Sequence, residues 1–169
     1  MNQKPLEVVQ DAAYFEAQLA KIQRRNKTPG RKCGECTACC TVLEVAELGK
    51  PSLTPCPHCA ATNCTIYAQR PLSCAGFACD WLFGRHGLGA ALRPDQLGLI
   101  FCWVETNRIR AYETRPGAAL SAQGLKTLNH LKRTYEIALS FHDAQAGAFL
   151  THGDRDARSE IEARAPFRW

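Results

Sequence analysis

Hydrophobic and polar positions divide the chain into stretches of different grammar. Over Glu7 to Asn26, Val8, Ala12, Phe15, Leu19 and Ile22 recur at three- and four-residue steps, with polar residues between them. That period predicts an amphipathic helix packing its apolar stripe on the rest of the chain. Thr28-Pro29-Gly30 ends it. From Cys33 to about Gly89 the regularity disappears, and Pro51, Pro55, Pro57 and Pro71 interrupt short apolar runs. Past Pro94 it returns. Leu97 to Val104 is apolar and Arg108 to Thr114 alternates, which predicts a β-hairpin turning at Thr106-Asn107 and closed by Pro116-Gly117. Ser121 to Phe141 is predicted as a helix with Ser121 as N-cap and Leu125, Leu128, Leu131, Tyr135, Ile137 and Leu139 on its apolar side. The charged tail Thr151 to Trp169 has Ile161 and Phe167 as its few anchors, and reads as a short helix or a loosely docked end.

The resulting expectation is one α+β domain over residues 1–169: a small, irregular, metal-bound, cysteine-rich core over 31–83, an N-terminal helix, a hairpin plus helix over 95–141, and a charged tail. The chain is long enough for a core without covalent staples, and 46% apolar with 22% charged residues is ordinary for a globular protein. Cysteine is the exception. Nine of the ten lie between Cys33 and Cys79, and Cys102 stands apart. Such clustering implies a local chemical task.

Compartment decides how the cluster is read. Met1 to Ala20 carries Lys4, Glu7, Asp11 and Glu16 and has no apolar run resembling a signal peptide. No segment approaches the roughly 18 to 20 apolar residues of a membrane-spanning helix. A cytoplasmic chain is therefore expected, with reduced thiols that point to metal before disulfides. Metal also answers the lack of apolar runs: a structural zinc contributes roughly 10 to 16 kcal/mol of apparent folding free energy.

The first cassette is Cys33-Gly34-Glu35-Cys36-Thr37-Ala38-Cys39-Cys40. A two-residue spacer turns two sulfurs toward one ion, with nearby N–H groups donating to them, and Gly34 relaxes the backbone in the turn. Three cysteines at steps of three resemble the ferredoxin run that holds a [4Fe–4S] cluster with a distant fourth ligand, and tetrahedral zinc accepts the same pairs. The run of three tips the reading toward iron–sulfur. Side chains of the neighbours Cys39 and Cys40 diverge, so either each serves a different metal or one is no ligand. The second cassette is Cys56-Pro57-His58-Cys59, followed by Cys64, Cys74 and Cys79. These nine thiols suffice for two four-thiolate sites with one left over. Two such sites, each about −2, bring the formal +5 to about +1. Part of the basic excess is then counter-charge, for which Arg31, Lys32 and Arg70 lie closest in sequence. His58, inside a tight turn, is expected to point away, and His86, His130, His142 and His152 to be solvated or packed.

The run Cys33-x-x-Cys36-x-x-Cys39-Cys40, then Cys56-Pro-His-Cys59, Cys64-Thr-Ile-Tyr67-Ala-Gln-Arg70-Pro71-Leu-Ser-Cys74 and Phe77-Ala-Cys79-Asp-Trp81-Leu, resembles the YkgJ-type CxxCxxCC cysteine-cluster family over residues 31–83. The resemblance implies zinc or iron chelation, with an iron–sulfur oxidoreductase role sometimes attached. A related cluster accompanies flagellin lysine methylation, but this chain has no Gly-x-Gly fingerprint for S-adenosylmethionine, so methyl transfer is not carried over. Within the same pattern, Pro71 suits the first position of a short helix that aims Cys74 inward. Arg70 is expected to neutralise thiolate charge, Tyr67 to cover the site, and Phe77 and Trp81 to exclude water.

Saturated thiolate ligation leaves no open position for hydrolytic zinc chemistry. No Ser/His/Asp set, P-loop or HExxH motif assigns a catalytic residue. The leading expectation is a metal-binding, redox-capable protein with an unidentified protein or redox partner. Two alternatives stand beside it: a zinc-stabilised nucleic-acid-binding or interaction module, suggested by Lys21, Arg24, Arg25, Lys27, Arg31 and Lys32, and a metal storage or delivery protein. Short charge runs are more often solvated helix ends, which disfavours the nucleic-acid reading.

Overall fold

The computed structural model describes residues 28–105, 107–143 and 148–152. The expected helix over 7–26, and with it Lys21, Arg24, Arg25 and Lys27, lies outside them, as does the tail from 153 onward. The fold is α+β. Among the described residues, four short α-helices, α1 (Ala38–Val42), α2 (Leu72–Gly76), α3 (Pro94–Leu97) and α4 (Ala122–Leu131), accompany strands β1 (Leu99–Glu105), β2 (Arg108–Glu113), β3 (Glu136–Asp143) and β4 (Ala148–His152). The strands form one sheet in the order β1-β2-β3-β4.

The hairpin follows the predicted pattern. β1 and β2 pair antiparallel from Leu99 opposite Glu113 to Glu105 opposite Arg108, with an irregularity after Trp103. Leu97 belongs to α3 rather than to the strand, and Gly98, at φ +77°, makes the turn between them. Gly suits that left-handed conformation, and a Cβ there would lie 2.4 Å from the Ala118 Cβ.

The long helix expected over Ser121–Phe141 is two elements. Ser121 is its N-cap, with its hydroxyl accepting from Gly124 N–H at 3.0 Å, but α4 ends at Leu131. Glu136–Asp143 is instead a strand, parallel to β2 from Arg108 opposite Glu136 to Tyr112 opposite Ser140. The reason lies in the period: Tyr135, Ile137, Leu139 and Phe141 are two residues apart, a strand's spacing, whereas Leu128 and Leu131 keep the helical step. The free edge of β2 offers hydrogen bonds that a continued helix would leave unmade. Antiparallel β4 then pairs with β3 and takes in Thr151 and His152, which the sequence reading gave to the tail.

One apolar cluster runs through the described residues. Leu99, Ile100, Phe101, Ile109, Ala111 and Leu139 of the sheet pack with Leu128 and Leu131 of α4, and the cysteine-rich segment joins them through Ala38, Val42, Cys79, Trp81, Leu82 and Leu88. That segment is therefore partly held by ordinary burial, beyond what its short apolar runs suggest.

Polar clamps fix the same junction. Asp80, 1% exposed, donates its N–H to Phe101 O at 2.9 Å. Its carboxylate takes Trp103 N–H, Arg85 Nη1 at 3.4 Å and His86 Nε2 at 3.1 Å. His86 is thus packed, as expected, but against a buried carboxylate. Arg31 donates to Trp81 O and to Leu88 O, the latter at 2.7 Å, and its guanidinium lies 5.1 Å from the Trp81 ring centroid. These contacts set the two ends of the cysteine segment, Arg31 and Trp81, beside each other.

Glu113 performs an equivalent task between β2, β3 and the approach to α4. It is buried, and its two oxygens accept Ala119 N–H at 2.9 Å and His142 N–H at 2.8 Å, tying the approach to α4 and strand β3 to β2. Glu113→Ala leaves two backbone donors without these acceptors. It should lower unfolding free energy by about 2 to 4 kcal/mol in denaturant titration, and a loss under about 0.5 kcal/mol would contradict the clamp.

Candidate metal centre

Each cysteine reaches the site from a short, tightly bonded piece of chain. Cys33 and Cys36 lie on a turn closed by Cys36 N–H to Cys33 O at 3.0 Å, with Gly34 at φ +56°. Cys39 and Cys40 sit on α1. Cys56 N–H donates to Cys40 O at 2.9 Å, bringing the second cassette against the first, and Cys59 N–H donates to Cys56 O at 3.0 Å. Cys74 rides on α2, for which Pro71 is the N-cap rather than the first helical residue. Glu47 accepts both Ser73 N–H at 3.0 Å and Ser73 hydroxyl at 2.8 Å, which ties α2 to the loop after α1.

The sulfurs fall into two neighbourhoods. In the first, the Cys36 sulfur receives the N–H groups of Ala38 and Asp95 and stands within electrostatic reach of Cys33. Cys39 stands near Cys33 and Cys36. The Cys79 sulfur receives the N–H groups of Leu82 and Trp81 and has Cys33 and Cys36 as its charged neighbours. Backbone N–H groups aimed at sulfur favour thiolate over thiol. Burial works the other way: it raises the Cys36 thiol and pushes Cys79 up to about 11.

In the second neighbourhood, the Cys40 sulfur is in hydrogen-bond contact with both Cys39 and Cys59. The hydrogen bond from Cys39 holds Cys40 well below the ordinary thiol range and raises Cys39 in turn, so the pair shares a proton. Burial raises Cys59 and Cys74. The Thr37 hydroxyl opposes it at Cys59, which has Cys40 and Cys56 beside it. Cys74 has Cys40 and Cys56 as neighbours.

Lys50 is the residue of this neighbourhood that the sequence reading missed. It is 4% exposed, and its ammonium donates to Leu43 O and to Pro51 O, the latter at 3.3 Å. A tight loop places it: Val45 and Lys50 exchange backbone hydrogen bonds of 2.9 and 3.1 Å, and Gly49 turns the chain at φ +59°. The charges acting on Lys50 are the sulfurs of Cys56, Cys40, Cys74 and Cys39, although burial still lowers its affinity for a proton. A lysine eight residues after α1, in an irregular segment, gives no sign in sequence of being buried.

The cations expected as counter-charges are engaged elsewhere. Arg31 serves Trp81 and Leu88, while Arg70 donates to Tyr67 O at 2.6 Å and stacks 3.8 Å from that ring's centroid. Lys32 is exposed. Tyr67 is 61% exposed and does not bury the cluster, whereas Trp81 is buried and Phe77 packs on the core. His58 is half-buried in its turn, and its carbonyl accepts Thr65 N–H at 2.9 Å. Cys64 lies opposite Cys59 in an antiparallel bridge. Cys102 is on β1, its thiol raised by burial and by the nearby Asp80.

All donors of both neighbourhoods are soft sulfurs, a set that suits zinc or iron–sulfur centres and not hard cations. Among the described residues, no three His, Cys, Asp or Glu side chains already stand around a common point at ligand spacing. Also among them, no helix is long and apolar enough to cross a membrane.

Burial of neutral Cys79 and Cys102 gives the metal-free, reduced protein a pH signature. Unfolded thiols ionise near pH 8.5 (roughly), while Cys79 in the fold holds its proton to about 11. Between those values the unfolded chain binds fewer protons, so stability should fall as pH rises. Chelator-treated protein melted across that range should lose Tm steadily, and a flat profile would contradict the assignment.

No family model, curated protein or solved structure matches the chain.

Proposed function

We propose that this is a metal–thiolate protein, holding zinc or an iron–sulfur centre through the cysteines of Cys33 to Cys79. The observation that carries it is the burial of Lys50 among Cys39, Cys40, Cys56 and Cys74. A buried ammonium whose hydrogen bonds go to carbonyls needs anions beside it, because an uncompensated buried charge is costly. Thiolates are the anions at hand, and a cluster of thiolates is itself held by metal. The N–H groups aimed at Cys36 and Cys79 point the same way.

The bound group, when iron–sulfur, supplies one-electron chemistry, and when zinc, supplies rigidity. The chain's own residues do the rest. Lys50 offsets sulfur charge, backbone donors orient the sulfurs, and Trp81 and Phe77 help to exclude water. The run of three cysteines favours iron–sulfur. Of the basic stretch that suggested nucleic acid, Arg31 is engaged within the fold, while Lys32 is exposed.

Anaerobic purification followed by elemental and acid-labile sulfide analysis should give either brown, sulfide-containing protein or colourless protein with thiolate-bound zinc. Protein with neither iron nor zinc would sink the proposal. Because most of these thiols are held protonated when metal-free, loading should release protons, and affinity should fall as pH drops from about 8 to about 6. Lys50→Met gives a further check. Beside neutral thiols it would be neutral or stabilising, whereas beside metal-bound thiolates it should speed metal loss to chelator by roughly tenfold or more.

A further inference from the structure

We propose that the cluster is two metal centres divided between the adjacent residues Cys39 and Cys40: an inner one of Cys33, Cys36, Cys39 and Cys79, and an outer one of Cys40, Cys56, Cys59 and Cys74. Cys64 belongs to neither. The division rests on the metal–thiolate reading above.

Cys39 and Cys40 are consecutive on α1 and their sulfurs touch, so the divide is set by what packs around each of them and not by diverging side chains. On α1, Ala38 and Val42 point into the core, and Cys39 packs against the same cluster together with Cys36 and Cys79. None of Cys40, Cys56, Cys59 and Cys74 packs there. Cys40 turns instead toward the second cassette, where its carbonyl accepts Cys56 N–H and its sulfur contacts Cys59. Cys36, Cys39 and Cys79 of the inner group thus rest on the apolar core, while buried Lys50 lies by Cys40, Cys56 and Cys74 of the outer group and also reaches Cys39.

Their charge environments differ as well. Cys36 of the inner group lies against Asp95, whose carboxylate is bound by Arg93 through two hydrogen bonds of 2.6 and 2.7 Å. The outer group meets the ammonium of Lys50. The inner group also keeps the three cysteines at steps of three with a distant fourth, the ligand pattern of a cubane cluster.

Cys64 is the nearest rival for a place in the outer centre. Ala60 N–H to Asn63 O and Thr65 N–H to His58 O, both 2.9 Å, make Cys59 and Cys64 a non-hydrogen-bonded antiparallel pair, with side chains on one side of the ribbon. Of the two, Cys59 is the one whose sulfur contacts Cys40 by hydrogen bond.

The experiment is native mass spectrometry of the anaerobically purified full chain and of single variants, counting bound ions or clusters. Wild type should carry two centres. Cys79→Ser and Cys74→Ser should each carry one, the double variant none, and Cys64→Ser both. If Cys79→Ser is insoluble, Cys33→Ser, altered at an exposed position, reads the same inner centre. A wild-type chain with one centre, a Cys64→Ser chain that loses one, or Cys79→Ser and Cys74→Ser removing the same one would overturn the division while leaving metal binding intact. A wild-type chain with no metal would instead overturn the reading on which the division rests.

Discussion

A lysine ammonium sealed from water beside four sulfur atoms is the constraint on which the site turns. The tight loop from Val45 fixes the Lys50 backbone, and its ammonium is held by the carbonyls of Leu43 and Pro51. Burial lowers its affinity for a proton, and negative charge on the sulfurs around it favours the ammonium. Crowded thiolates repel one another unless a cation stands among them. In the proposed reading, metal ions satisfy both demands together.

The sheet and α4 provide the frame on which this is possible. Phe101 and Trp103 of β1 receive Asp80, which fixes the chain immediately after Cys79. Val42 and Ala38 anchor α1 in the same apolar cluster, so Cys39 and Cys40 are delivered from a short helix whose position burial has already set. Arg31 then closes the segment back on Trp81. Apolar packing places the first cassette and Cys79, while the pieces carrying Cys56, Cys59 and Cys74 are held mainly by backbone and surface hydrogen bonds such as those of Glu47. A metal bound as proposed would therefore have the larger share of the stabilising to do in the outer half.

The β-hairpin was legible because alternation and apolar run length speak directly of strands, and so were the cysteine cassettes, whose spacing implies close sulfurs whatever the fold. The segment Tyr135–Phe141 was misread because its apolar residues follow an authentic helical stripe, and a change of period from three or four to two is easily absorbed into a longer helix. Only the unpaired edge of β2, a long-range fact, decides it. The counter-charge was misplaced for a related reason. Arg31 and Arg70 adjoin cysteines in sequence, yet their planar guanidiniums are taken by rings and carbonyls. Lys50, ten residues from the nearest cysteine before it, is the cation that folding brings to the sulfurs.

X-ray absorption at the metal edge of the natively purified chain tests the central claim most directly. The account predicts nearest neighbours that are all sulfur, about four per ion at about 2.3 Å. Neighbours dominated by oxygen or nitrogen, or the absence of any stoichiometric metal edge, would contradict it.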